Sequence, residues 1–175
     1  MGYTGSTLRN YLKENFFSLN WHDKYRLALQ LSSVIEFLHK NGIVHNDLHS
    51  NNIFMQQNSI KLADFGLNKR IKDARKISLS SFDTIPYNGP EGFNNIKDAN
   101  SSEGENQIEQ HKYELNEKSD IYSLGVLFWE LSSGNKPFAN KEYDLYLAME
   151  IAQGLRESIV EDTPEEYYNL YASKQ

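Results

Sequence analysis

Ile43-Val44-His45-Asn46-Asp47-Leu48-His49-Ser50-Asn51-Asn52 is a polar run pinned between two strong local signals. Upstream, Leu27, Leu31, Val34, Ile35 and Leu38 fall at i, i+4, i+7, i+8 and i+11, the spacing of one buried helix face. That helix is expected to begin near Asn20 or Trp21 and to stop at Asn41-Gly42, where glycine permits a left-handed cap. Downstream, Asn52–Met55 and Ser59–Leu62 are short extended runs separated by Gln56-Gln57-Asn58, the pattern of a small hairpin. The run is therefore a loop held between a helix and a hairpin.

Further out, Thr7 to about Glu14 reads as a shorter helix, and the stretch from about Asp64 to Glu91 is polar and rich in turn residues. Few side chains in residues 94–112 could pack a core, so a mobile surface insertion is expected there. Ile121-Tyr122-Ser123-Leu124-Gly125-Val126-Leu127-Phe128-Trp129 is apolar on every side, as a central helix is. Ser119 or Asp120 is expected to cap its start, and Gly134 with Pro137 to stop it. Two more helices are expected, Tyr143 to about Gln153 and Glu165 to about Ala172. The second has Thr163 as its expected N-cap, Pro164 in its first turn and Glu166 completing a capping box. No internal repeat is present. The fold class is mainly α with one small β-hairpin.

The chain has 175 residues, room for one domain with a real core. Its formal net charge of -6 argues against nucleic acid or an anionic membrane as the main partner, since both call for basic patches. It contains no cysteine, which excludes disulfides and thiolate metal sites and suits a reducing, cytoplasmic setting. No apolar run is long enough to span a bilayer. The N-terminal residues have neither the basic start nor the apolar stretch of a signal peptide. Gly2 with Ser6 satisfies a loose myristoylation pattern, a short one that matches easily.

The quoted loop resembles the protein-kinase catalytic loop H-R-D-L-x-x-x-N, with Asp47 at the base position and Asn52 at the second magnesium position. Asp64-Phe65-Gly66 stands where that family has D-F-G, after a strand; Asn88-Gly89-Pro90-Glu91 looks like A-P-E with Gly for Ala. Asp120-Ile121-Tyr122-Ser123-Leu124-Gly125 resembles the start of the family's central helix. Each motif alone matches by chance, and a lone Asp-Phe-Gly is most often a turn; four in order on fitting elements are a specific signal. The resemblance extends over nearly the whole chain, as a partial kinase domain over residues 1–175, and implies a protein-kinase-like fold, specifically its helical C-terminal lobe.

Phosphoryl transfer asks a protein mainly for positioning and for cations that neutralise developing charge. The resemblance therefore implies ATP and Mg²⁺ as cofactors, with Asp64 and Asn52 as metal ligands, both hard oxygen donors suited to that ion. Asp47 would orient the substrate hydroxyl and accept its proton. Phe54 would lie against the adenine. His45 would be a packing residue stacked on Phe65 beside Gly66, with no acid–base role. Thr84 and Tyr87 precede Glu91 as in serine/threonine kinases, whose Thr there meets the catalytic Asp, so protein Ser/Thr substrates are implied.

Several departures accompany the resemblance. Asn46 replaces the usual Arg, which in many kinases pairs with a phosphorylated activation-loop residue, so control by that route is in doubt. His49 stands where a Lys often contacts the γ-phosphate, and slower transfer is expected from a neutral imidazole, although similar D-L-H-S runs occur in tyrosine-kinase-like members. Asp83 replaces a common Gly before Thr84, and Ser78, Ser80 and Ser81 are polar loop serines open to phosphorylation. No G-x-G-x-x-G or V-A-I-K-like strand occurs, and the chain opens at what looks like the hinge, so the ATP-covering N-terminal lobe is expected to be missing. The family's closing helices are expected to be missing too, leaving Glu91 without the Arg it pairs with. A protein kinase that draws its upper lobe from elsewhere, an inactive docking module and a non-functional fragment are thus all compatible with the sequence.

Overall fold

A computed structural model of the chain describes residues 5–63, 82–93 and 117–174. The expected insertion at 94–112, the Asp64-Phe65-Gly66 motif, the three loop serines and Gly2 lie outside the described residues. What is described is mainly helical with a small antiparallel sheet.

The chain enters through β1 (Ser6–Thr7), which pairs with β2 (Ile53–Gln56); β2 pairs in turn with β3 (Ser59–Leu62). The hairpin expected from the sequence is thus the larger part of a three-stranded sheet. Two residues are too few to show a period-2 pattern, which is why β1 is silent in the sequence. The β2–β3 register, Gln56 opposite Ser59, leaves Gln57 and Asn58 as a two-residue turn. Both adopt positive φ (49° and 59°), the geometry that matches the strands' right-handed twist. Gly5 runs so close to β2 that a Cβ on it would lie 2.6 Å from the Met55 carbonyl oxygen.

Helix α1 (Leu8–Asn15) is capped by Thr7, whose side chain accepts from the Asn10 N–H. Helix α2 (Trp21–Lys40) has a full capping box, Asn20 and Asp23 exchanging side-chain and backbone bonds, and ends at Gly42 with φ 69°. Its buried face is Leu27, Leu31, Ile35 and Leu38, while Val34 sits at the margin. Helix α3 (Glu117–Ser133) is buried continuously from Tyr122 to Ser133, the central helix expected, and packs against α2 and against α5 (Glu165–Ala172). Lys24 of α2, itself buried, donates to the Ser132 carbonyl near the end of α3 and lies over the Phe16 ring. This places a cation at the negative end of the helix. Gly134 then takes φ 70°, and a Cβ there would run into Phe16.

Three expected helix starts are corrected. Neither Ser119 nor Asp120 caps α3, which already begins at Glu117; the Asp120 carboxylate is turned onto the polar loop instead. Helix α4 (Leu145–Ala152) starts after Asp144, whose side chain accepts from the Leu147 N–H, so Tyr143 lies outside it. At α5 the cap position is Pro164, with no side-chain cap bond, so the box from Thr163 to Glu166 does not form. Proline there holds an extended ψ of 138° and has no side-chain acceptor to offer.

Candidate active site

The loop Ile43–Asn52 is held from below by one side chain. Asp120, 1 % exposed, accepts from the His45 N–H through Oδ2 and from the Asn46 N–H through Oδ1, both at 2.8 Å. His39 Nε2 lies 2.8 Å from the same Oδ2. With both backbone donors fixed, Asn46 is held at φ 66°, a left-handed conformation that asparagine tolerates better than most residues. A role for Asp120 in shaping the loop follows directly from these bonds.

His45 is buried and wired at both ring nitrogens. Its Nδ1 accepts from the Asp47 N–H at 3.3 Å, which leaves the proton on Nε2, 3.1 Å from the Ala63 carbonyl to which it donates. The imidazole thus ties the loop to the strand end just before Asp64. Its expected partner Phe65 lies outside the described residues, with Gly66.

At the mouth of the loop, the Asp47 side chain is 61 % exposed. Asn52 donates from Nδ2 to the Asp47 carbonyl at 3.0 Å and to Oδ2 at 3.1 Å. The His49 imidazole stands beside it, Nε2 3.7 Å from Oδ1, and does most to hold the carboxyl below its usual range against partial burial; Asn52 and His45 add to the effect. A carboxylate that is ionised, accessible and fixed in orientation can accept a proton from a hydroxyl placed against it.

Of the two expected magnesium ligands, Asn52 is the one among the described residues. Both bonds that Asn52 makes to Asp47 come from Nδ2, which leaves its amide oxygen as a hard donor. The backbone carbonyl of Asn52 accepts from the Ala63 N–H at 3.0 Å, so Asn52 and the residue preceding Asp64 are adjacent. Asp64 itself lies outside the described residues. Among the described residues no group of three or more His, Asp and Glu side chains could hold a metal by itself. Phe54 alternates with the buried Ile53 and Met55 along β2 and is half-buried on the opposite face of the strand.

Thr84 lies half-buried in a 3₁₀ segment, Phe82–Tyr87, which the sequence shows only as a turn-rich stretch. Its end is packed against the loop: the Tyr87 and His49 rings are 5.9 Å apart. Glu91, in the 3₁₀ turn Pro90–Phe93, is exposed, so its carboxylate is not a buried charge that demands an ion partner.

Three residues absent from the sequence expectations complete this face. Glu130 of α3 is fully buried, ion-paired to Arg9 of α1, and accepts from the Tyr87 hydroxyl. The Ser50 hydroxyl is 3.1 Å from the same phenol oxygen. Burial pushes the Glu130 carboxyl up to about 7, opposed chiefly by the Arg9 guanidinium and by the bonds from Tyr87 and Ser50. Burial and the Glu130 charge in turn push the Tyr87 phenol well above its ordinary range. The sequence signal for this cluster was a lone Glu inside an apolar helix, which demands a partner without naming one.

The chain matches the family model described as protein tyrosine and serine/threonine kinase over residues 2–173. It is 30% identical over 172 residues to wall-associated receptor kinase 3 of Arabidopsis thaliana, covering 91% of this chain and 21% of that protein. A leaf rust 10 disease-resistance locus receptor-like protein kinase of the same plant is 33% identical over 134 residues, or 74% of this chain and 18% of that protein. A serine/threonine-protein kinase/receptor of Acanthamoeba polyphaga mimivirus is 29% identical over 167 residues, 93% of this chain and 9% of that protein. The chain thus spans about a fifth or less of the length of these relatives. With the family model matched almost end to end, the chain belongs to the protein tyrosine and serine/threonine kinase family.

Proposed function

We propose that this chain supplies the catalytic face of an ATP-dependent protein kinase acting on Ser and Thr hydroxyls of proteins. The observation that carries the reading is the Asp47–Asn52 pair: an accessible carboxylate held by an amide whose oxygen is left for a cation. The mainly helical scaffold with its small sheet is read as the larger lobe of the kinase fold. Cover over the phosphates would then come from a further lobe or a docked partner, since no G-x-G-x-x-G lies within residues 1–175. A cytoplasmic location, where ATP is the available donor, goes with this reading.

In the proposed reaction the substrate hydroxyl oxygen bonds to the γ-phosphorus, the bond from that phosphorus to the β–γ bridging oxygen breaks, and ADP leaves. Asp47 orients the hydroxyl and takes its proton. Asn52 and Asp64 would hold Mg²⁺, which would supply neutralisation of the charge that develops on the phosphates. Phe54 offers an apolar surface to the adenine, and Thr84 presents the acceptor side chain to Asp47. His49, beside Asp47, holds its carboxyl below the usual carboxylate range. Support for Ser/Thr over Tyr acceptors comes from Thr84 and Tyr87 at their spacing before Glu91.

Incubation of the chain with Mg-ATP and a mixed Ser, Thr and Tyr peptide library tests this reading. Phosphate is expected on Ser and Thr, with Asp47→Asn lowering transfer by about 100-fold or more, the usual worth of a positioned base. Labelling confined to Tyr, or transfer that survives Asp47→Asn, would overturn it.

A further inference from the structure

Arg9 has no part in the transfer step, yet it is bonded to the polar loop, to the end of the 3₁₀ segment and to α3. Its backbone N–H donates to the Ser50 carbonyl at 3.3 Å, binding the first turn of α1 to the polar loop. Its guanidinium donates to the Tyr87 phenol oxygen at 3.1 Å and pairs with the buried Glu130. Tyr87 has a single hydroxyl proton, and that proton goes to Glu130. The phenol oxygen can then only accept from Arg9 and from Ser50. The Tyr87 carbonyl accepts from Ser123 Oγ at 2.7 Å, fixing the same residue to α3 a second time.

Tyr87 is therefore the point where α1, the loop, the 3₁₀ segment and α3 meet. Glu130 orients it, and Arg9 supplies the charge that lets a carboxylate remain in that apolar helix. A guanidinium suits the position because its planar fork serves the phenol and the carboxylate together; an ammonium offers one compact charge. Arg9 is also the one edge of the cluster near solvent, its side chain 19% exposed.

We propose that Arg9 is a positioning residue for the protein substrate: through Tyr87 and Glu130 it fixes the Phe82–Tyr87 segment, with Thr84, against the loop that carries Asp47. This rests on the kinase reading given above. The Arg9 side chain bonds to Tyr87 and Glu130, and its backbone bond to the loop survives substitution, so loss of the guanidinium should weaken peptide binding while leaving ATP binding alone.

The test compares the whole chain with Arg9→Met and Arg9→Lys by hydrogen–deuterium exchange and by steady-state transfer to a Ser/Thr peptide. Exchange at residues 85–88 should quicken about tenfold in Arg9→Met, the worth of one hydrogen bond to a charged group, with exchange inside α2 unchanged. The peptide KM should rise by a similar factor while the KM for ATP stays within about twofold, and Arg9→Lys should fall between. Faster exchange with an unmoved peptide KM would make the cluster merely structural and overturn the proposal, as would unchanged exchange. If Arg9→Met fails to fold, Arg9→Lys decides on the same two readouts. A wild-type chain that transfers no phosphate sinks the kinase reading instead; the substrate role falls with it, and exchange alone then judges whether Arg9 holds the segment.

Discussion

Two carboxylates project from α3 ten residues apart, Asp120 in its first turns and Glu130 near its end, and both are buried. Asp120 is satisfied by backbone: two N–H groups of the loop, with His39 behind them. Glu130 is satisfied by side chains delivered from distant parts of the chain, Arg9 and Tyr87. The first arrangement shapes the loop itself, down to the left-handed Asn46. The second sets where a neighbouring segment lies against that loop. Backbone donors are fixed once the loop has formed. Side-chain partners must be ordered against their own rotamer entropy, so the Glu130 end is the more easily displaced of the two.

Asp120→Ala should have the largest effect. It removes the acceptor from two buried N–H groups and from His39, and hydrogen bonds to charged groups are worth ~1.5–3 kcal/mol each. A loss of about 4 kcal/mol in urea unfolding is expected. Asp120→Asn, which keeps one acceptor, should lose about half of that. Equal losses for the two variants would break the contrast, because they would mean the loop bonds are not what Asp120 contributes.

At the other end, the Glu130 carboxyl, raised from 4.5 to about 7 by burial, makes stability depend on pH. Between these values the folded state holds a proton that the unfolded state has released. Stability therefore falls as pH climbs from about 4.5 to about 7 and is flat for this group outside that window. The change is on the order of 3 kcal/mol. Glu130→Gln should remove the slope, which pH-resolved urea melts would show. Asp47 acts in the opposite sense and elsewhere: its carboxyl is held low, so its contribution is lost only as pH falls below the usual carboxylate range.

The smallest effect sharpens the comparison from outside it. Asn20→Ala breaks a formed capping box and should cost ~1 kcal/mol. Thr163→Ala, at a box that does not form, should stay within about 0.5 kcal/mol in the same thermal or urea melts.

The loop and its setting were legible in the sequence because the signals there are local. A 3.6-residue apolar period marked α2, an all-apolar run marked α3, and the spacing of Asp47 and Asn52 needed no third dimension. The Asp120 clamp was half legible: the residue was singled out as a possible helix cap and as the first residue of a kinase-like motif with a structural role, but nothing local says that its carboxylate reaches back 74 residues to Asn46. The Arg9–Tyr87–Glu130 cluster was not legible, because Arg9 and Tyr87 are 78 residues apart and their side chains meet only once the chain has folded. The α5 cap failed for a different reason. Thr-Pro-Glu-Glu fits the pattern of a capping box, yet the proline took the cap position itself.

The central claim is that Asn52 and Asp64 hold Mg-ATP where Asp47 can use it. Its most direct test is the thermal melt of the chain with and without excess Mg-ATP, followed by circular dichroism, in the wild type and in Asp64→Ala. A ligand that binds only the folded state raises the melting temperature in proportion to RT ln(1 + [L]/Kd). The account predicts an upward shift in the wild type that disappears in Asp64→Ala. A cooperative melt that Mg-ATP leaves unmoved, or one shifted equally in both proteins, would contradict it.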